Sequence, residues 1–316
     1  MRASRALAGA ALLAFACAVA GCGHRGLKAG EGLIPVEGGR VWYRVVGRGG
    51  GTPLLVLHGG PGVPSYYLKP LAALGEDRPV VFFDQLGCGH SDHPRDSTLW
   101  TIDHFVREVG EVRRALGLSE IHLYGHSWGA MLATDYMLTR PRGVKSLILA
   151  SPALDVGRWV KDADSLRKTL PDSLQRVIDE AEKKQVYDSP AYQAAIGTYY
   201  HRYICRRDPW PADVDSAFSQ LGQAEYLAMC GPSEFTITGS LRNYDRTARL
   251  PELHLPVLFM SGRYDEATPA TVEHYRSLVP GARMAILDSS AHFGMQDEPD
   301  RYVQVLRDFL RSVERK

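Results

Sequence analysis

A chain of 316 residues, 45% hydrophobic and 23% charged, has enough apolar material for one large core with a smaller lid, which excludes a disordered or fibrous polymer. Its formal net charge of +1, without a long run of one sign, offers no electrostatic footprint for nucleic acid.

The first 22 residues carry an address. Arg2 and Arg5 precede the apolar run Ala6 to Ala20, the charged-then-apolar order of an export signal, and the run is short for a bilayer-spanning helix. It ends in Val19-Ala20-Gly21-Cys22, which resembles a bacterial lipobox, so Cys22 is the expected lipidation site and first residue of the mature protein. An ordinary signal peptide with a chance cysteine is the alternative. Export leaves Cys88, Cys205 and Cys230 in an oxidising compartment, where a Cys205–Cys230 disulfide is an open question.

Residues 23–32 are glycine-rich and polar and read as a flexible tether. Ile34 to Val46 holds two β-rich pieces about Gly38-Gly39, a hairpin at a sheet edge. Leu54 to Leu57 and Val80 to Phe83 are continuous apolar runs, as expected of strands buried on both faces. The first stops at the glycine loop His58 to Gly62, the second at Asp84-Gln85-Leu86-Gly87-Cys88-Gly89-His90-Ser91. Thr101 to Leu116 places Ile102, Phe105, Val106, Val109, Val112 and Leu116 on one helical face.

Glu120 to Tyr124 is another apolar run and leads into Gly125-His126-Ser127-Trp128-Gly129, a G-x-S-x-G turn between strand and helix. Such a tight turn excludes β-carbons on either side and projects Ser127 outward as a nucleophile. A helix over Trp128 to Thr139 and a strand over Lys145 to Ala150 follow. From Pro152 to Leu250 the rhythm breaks into charged amphipathic pieces without buried-strand signatures, a helical insertion. Val257 to Met260 resumes the sheet, Ala282 to Leu287 is its last strand, and Pro299 to Glu314 is a closing helix. Short buried strands alternating with amphipathic helices imply a doubly wound, mostly parallel sheet with a helical cap inserted after the sixth strand. The expected division is residues 1–22 as signal peptide, 23–32 as tether, 33–152 with 251–316 as core, and 153–250 as cap.

Ligands of open α/β sheets collect beyond the carboxyl ends of the strands, where Ser127, Asp265 and His292 all lie. A serine hydroxyl needs an imidazole to take its proton, and the imidazole needs a carboxylate to orient it and stabilise its cation. His292 alone among the histidines follows the final strand. Asp265 is the expected acid, with Asp288 and Asp155 as rivals. The tetrahedral oxyanion requires backbone donors. The Trp128 amide is one by position, and the other belongs to Gly59 or Gly60, since Pro61 has no N–H. Without a His-Glu-x-x-His pattern or other ligand cluster, no metal or organic cofactor is implied.

The His58 to Gly62 loop, the Asp84 to Ser91 segment, the serine elbow, Gly262-Arg263-Tyr264-Asp265 and His292 together resemble the prolyl aminopeptidase (proline iminopeptidase) family of α/β-hydrolases, over Ile34 to the C-terminus. Gly231-Pro232-Ser233-Glu234-Phe235-Thr236-Ile237-Thr238-Gly239 is similar to the cap of the tricorn-interacting aminopeptidase, and the amino-acid amidases share much of the pattern. The resemblance implies Ser127 as nucleophile, Asp265 and His292 as its partners, Gly60 and Trp128 as oxyanion donors, and Glu234 with Glu266 as a grip on the substrate's free amino group. The activity implied is release of an N-terminal proline or other small apolar residue from short peptides through an acyl-enzyme on Ser127. Alternatives are an amino-acid amidase or esterase, or a non-catalytic binder on the same scaffold. Trp128, bulky and next to the nucleophile, puts preference for proline over other small side chains in question. The cap aromatics Tyr199, Tyr200, Tyr203, Trp210 and Tyr226 are read as cap core before pocket lining. The expected setting is exported and lipid-anchored to a bacterial membrane, with no nucleic-acid partner, the oligomeric state open and a monomer favoured.

Overall fold

The computed structural model describes residues 27–315. The signal peptide, Cys22 and the first four residues of the tether, 23–26, lie outside the described residues. Eight strands form one sheet in the order β1-β2-β4-β3-β5-β6-β7-β8. They are β1 (Gly30–Val36), β2 (Gly39–Val46), β3 (Leu54–Leu57), β4 (Val80–Phe83), β5 (Ile121–His126), β6 (Val144–Ala150), β7 (Val257–Gly262) and β8 (Arg283–Leu287). β1 and β2 form an antiparallel hairpin, β2 runs antiparallel to β4, and every later pairing is parallel. Gly30 to Gly32, assigned above to the tether, pair with Val45 to Tyr43 as the start of β1. An edge strand is held by backbone bonds, so glycines that read as linker still enter it.

The continuous apolar runs become the fully buried inner strands, whose alternate side chains feed two separate cores. Leu55, Leu57, Leu123, Leu149 and Phe259 face one core, and Leu54, Val56, Tyr124, Ile148 and Met260 the other. α1 (Ile102–Ala115) and α2 (Trp128–Leu138) cover the first face with Phe105, Val109, Val112, Leu132 and Ala133. The second is covered by a 3-10 segment, Ser65–Glu76, through Tyr67, Leu68, Leu71 and Leu74, and by the C-terminal helix. Thr101 caps α1 by accepting from the His104 amide, as a threonine before an amphipathic run should.

After β6 the chain builds a cap from α3 (Val156–Arg167), α4 (Asp172–Lys184), α5 (Pro190–Tyr203), α6 (Ala212–Ser219) and α7 (Gln223–Met229). Part of it has a small core of its own around Ile178, Ala195, Tyr199 and Tyr203. The core then closes with α8 (Pro269–Leu278), the single turn α9 (Gly294–Asp297) and α10 (Pro299–Glu314). Among the described residues no helix is long and apolar enough to cross a membrane.

The cap is seated over two buried acids. Glu225 of α7 has neither carboxyl oxygen hydrogen-bonded, and its head lies where a side chain on Gly62 or Gly87 would have to sit. Glu108 of α1 accepts from the Leu86 amide at 3.1 Å through one oxygen and leaves the other unpaired. Burial pushes the Glu108 carboxyl up to about 8, and burial followed by the charge of Glu108 pushes Glu225 well above the carboxylate range. The folded state therefore holds a proton on Glu108 that the unfolded chain releases near pH 4.5, so stability falls as pH rises from there through about 8. Glu108→Gln keeps an acceptor for Leu86 and is neutral throughout. It is expected to raise Tm by about 4–10 °C at pH 8.5 and to leave it nearly unchanged at pH 4.5, read by thermal unfolding across pH.

Candidate active site

Ser127 sits between β5 and α2 at φ 55° and ψ −120°, a left-handed backbone that a non-glycine residue adopts only when its surroundings impose it. The imposition is steric. A β-carbon on Gly125 would lie 2.1 Å from the Gly129 carbonyl oxygen, and one on Gly129 would lie 2.3 Å from that of Leu57. The Ser127 amide donates to the Ala150 carbonyl at 2.9 Å, which fastens the turn to β6.

Asp265 follows β7 and is almost completely buried. Its Oδ1 meets His292 Nδ1 at 2.8 Å and accepts from the Ala267 amide at 2.8 Å, while Oδ2 accepts from Ser151 Oγ at 2.6 Å and from the Gly262 amide at 3.3 Å. A carboxylate held from four directions fixes the imidazole with Nδ1 as donor and leaves Nε2 for chemistry. The rivals are elsewhere. Asp288 is exposed and pairs with Arg263, and Asp155 caps α3 by accepting from the Arg158 amide.

His292 follows β8 in a loop tied to the cap, its amide donating to the Tyr203 carbonyl at 3.0 Å. Ser127 and His292 line one cavity of about 270 Å³ between sheet and cap. No hydrogen bond joins Ser127 Oγ to the ring in this structure; such bonds in unliganded sites are commonly long and tighten when substrate arrives.

The glycine loop lies against the nucleophile, Gly59 so close that a β-carbon there would come within 3.1 Å of Ser127 Cβ. The Gly59 amide is already spent, donating to Tyr67 Oη at 2.7 Å, so of the two candidate amides Gly60 remains. Gly60 is on the cavity wall at φ 112°, and a β-carbon on it would strike the Gly62 nitrogen at 2.5 Å. The Trp128 amide opens α2, where the helix ladder supplies no acceptor and the helix dipole favours negative charge. The Trp128 indole is less intrusive than its bulk suggests: it is buried, donates from Nε1 to Gln85 Oε1 at 2.8 Å and meets Phe105 edge-on. Gln85 also donates to the His58 carbonyl at 3.1 Å, so the Asp84 to Ser91 motif braces both the glycine loop and the elbow.

Glu234 and Glu266 are brought to the same cavity from the cap and from beside Asp265. Glu234 Oε1 accepts from the Tyr226 hydroxyl at 2.9 Å. Glu266 Oε1 lies 3.9 Å from His292 Nε2, and its Oε2 is buried without a partner. Burial raises both carboxyls, and Glu266 stands well above the usual range because Glu234 and then Asp265 add to its desolvation. Of the cap aromatics, Tyr200 and Tyr226 line the cavity, Tyr199 and Tyr203 belong to the cap core, and Trp210 stacks on Tyr200 and Phe218.

The described cysteines, Cys88, Cys205 and Cys230, are free. Cys205 is buried with its thiol 3.6 Å from Asp297 Oδ1, whereas Cys230 lines the cavity. Sequence reasoning passed over Tyr67, Ser151 and Trp159, which lines the cavity with its ring 5.8 Å from that of His292. The one linear signal among them is the serine directly after a buried strand, and Ser151 has φ 48°.

The family model for the alpha/beta hydrolase fold matches residues 52–299. The proline iminopeptidase of Heyndrickxia coagulans is 45% identical over 285 residues, covering 90% of this chain and 99% of its own. Among solved structures, VinJ superposes with a TM-score of 0.87 at 35% identity, over 90% of this chain and 99% of VinJ. The proline iminopeptidase of Mycobacterium smegmatis does so at 0.84 and 31%, over 90% and 98%. With the fold, the elbow and this degree of identity over nearly the whole described chain, the protein belongs to the proline iminopeptidase family of α/β-hydrolases.

Proposed function

We propose that this protein is a serine aminopeptidase that releases an N-terminal proline, or another small apolar residue, from short peptides. The observation that carries the reading is one cavity lined by Ser127, by His292 with Asp265 hydrogen-bonded behind it, and by two carboxylates, half-buried Glu234 and buried Glu266, the latter with an unpaired oxygen. Ser127 attacks the first carbonyl as His292 Nε2 takes its proton. The Gly60 and Trp128 amides receive the oxyanion, and the imidazolium, steadied by Asp265, protonates the departing amine. Water then hydrolyses the acyl-enzyme by the same route in reverse. Glu234 and Glu266 hold the ammonium and so select a free N-terminus. Turnover of a prolyl arylamide together with failure on its N-acetylated form is the expected result; equal turnover of both removes the clamp.

Amino-acid amides form a second substrate class, favoured by one observation. Among the described residues lining the cavity none is Lys or Arg, so a dipeptide's carboxylate meets no cation there. Comparing prolinamide with di- to tetrapeptides separates the two. The N-terminal residues support an exported, lipid-anchored setting through Cys22. Cys22→Ser is expected to move the protein from the membrane to the soluble fraction, and unchanged partitioning would count against the anchor.

A further inference from the structure

Two buried side chains next to the site are spent on each other in a way the proposed chemistry does not use. Tyr67, the third residue of the 3-10 segment, and His126, the last residue of β5, are both fully buried. Tyr67 Oη accepts from the Gly59 amide at 2.7 Å and meets His126 Nδ1 at 2.9 Å, and His126 Nε2 meets the His292 carbonyl at 2.9 Å. The two ends of this chain decide every proton in it. An amide can only donate and a carbonyl can only accept, so the tyrosine donates to Nδ1 and the imidazole donates from Nε2. The chain thus runs in one direction, from the oxyanion loop to the backbone of the residue that takes the nucleophile's proton.

We propose that Tyr67 and His126 are positioning residues that lock the Gly59-Gly60 loop and the His292 backbone into one register, so that oxyanion donor and base are set together. The proposal rests on the hydrolase reading above. Packing reinforces the hydrogen bonds. The Tyr67 ring stacks on Phe293, the neighbour of His292, at 4.3 Å, and the Tyr67 carbonyl accepts from Gln296 Nε2 at 2.6 Å. The His126 ring stands edge-on to that of His292 at 4.7 Å. The other hydroxyl near the His292 carbonyl, Ser151 Oγ at 3.2 Å, has one hydrogen and lies closer to Asp265 Oδ2, at 2.6 Å. That leaves His126 as the donor committed to the carbonyl. Burial keeps the His126 imidazole neutral, as the single direction of the chain requires. Residues 59, 67, 126 and 292 arrive from four separate elements, and this chain joins the two halves of the machinery by hydrogen bonds that bypass the triad.

The test is steady-state kinetics of Tyr67→Phe, His126→Gln and His126→Asn on a prolyl arylamide, normalised to sites titrated with a fluorophosphonate. Tyr67→Phe is expected to lower kcat by about 10- to 100-fold with KM within about threefold, since sub-ångström misplacement of donor and base costs rate rather than binding. His126→Gln puts an amide N–H near the position of Nε2 and should retain kcat within about tenfold, whereas His126→Asn, which reaches only the Nδ1 position, should fall as far as Tyr67→Phe. A merely structural role would lower Tm or the titratable fraction and would not rank glutamine above asparagine. Tyr67→Phe keeping kcat within about twofold, or equal loss in both His126 variants, overturns the proposal. Should the His126 variants fail to fold, the near-isosteric Tyr67→Phe decides alone. A wild type that the fluorophosphonate does not label overturns the hydrolase reading and the proposal with it.

Discussion

Ser127→Ala is expected to lower kcat on a prolyl arylamide by about 10⁵- to 10⁶-fold while leaving the fold intact, because the three side chains act as a unit and removing the nucleophile costs nearly as much as removing all of them. The fold should survive because Ser127 Oγ holds nothing together. The turn is fixed by the amide bond to Ala150, by the glycines at 125 and 129, and by the Ala130 and Met131 amides donating to the Ser127 carbonyl at 2.9 and 3.3 Å. Alanine tolerates the left-handed backbone no better than serine, so Tm should move by no more than about 2 °C. No other nucleophile on the cavity wall is equipped to substitute. Cys230 is there, but burial and then the charge of Glu234 push its thiol far above neutrality, and a thiol without a thiolate is unreactive. Labelling by a fluorophosphonate should vanish with the hydroxyl. Labelling that persists in the variant would place the reactive group elsewhere and remove the assignment of Ser127.

The parts of this site that the linear sequence displays are those whose chemistry depends on neighbours along the chain. The elbow is legible because the turn itself demands Gly125 and Gly129, and the inner strands because burial on both faces makes Leu54 to Leu57 and Val80 to Phe83 continuously apolar. Asp265 and His292 are legible by their places after β7 and β8. What stays hidden is convergence. Tyr67 comes from a 3-10 segment with Pro70 inside it, whose three-residue turns blur helical periodicity, and its partners are 8 and 59 residues away. Ser151 reaches Asp265 across 114 residues, and the choice between Gly59 and Gly60 turns on a tyrosine hydroxyl that no spacing reveals. The start of β1 is missed for the opposite reason: glycine and glutamate carry no apolar signal, and the strand exists through its backbone pairing with β2.

Glu266→Gln is expected to reduce kcat/KM for free-amine substrates by about 10²- to 10³-fold and to leave the slow turnover of N-acetylated substrates nearly unchanged. An ammonium about 4 Å from a carboxylate gains about 4 kcal/mol at an effective dielectric near 20, and desolvation takes back part of it. Glutamine keeps the shape and removes the charge. Glu266 is the sharper probe of the pair because its Oε2 has no partner, whereas Glu234 is already engaged by the Tyr226 hydroxyl. Its proximity to His292 Nε2, 3.9 Å from Oε1, raises a competing explanation, in which the carboxylate acts on the base rather than on the substrate. The two differ in what they do to blocked substrates. Loss of a carboxylate that steadies the imidazolium slows every substrate, but loss of an ammonium clamp collapses only the preference for a free amine. The pH dependence separates them again. Burial and Glu234 hold the Glu266 carboxyl well above its ordinary value in the empty site, so it binds an ammonium poorly while protonated. In the wild type KM for a free-amine substrate should therefore fall as pH rises through that elevated value, and in Glu266→Gln that limb should flatten. A variant that slows free and acetylated substrates alike, with its pH limb intact, would move Glu266 from the substrate's amine to the catalytic base.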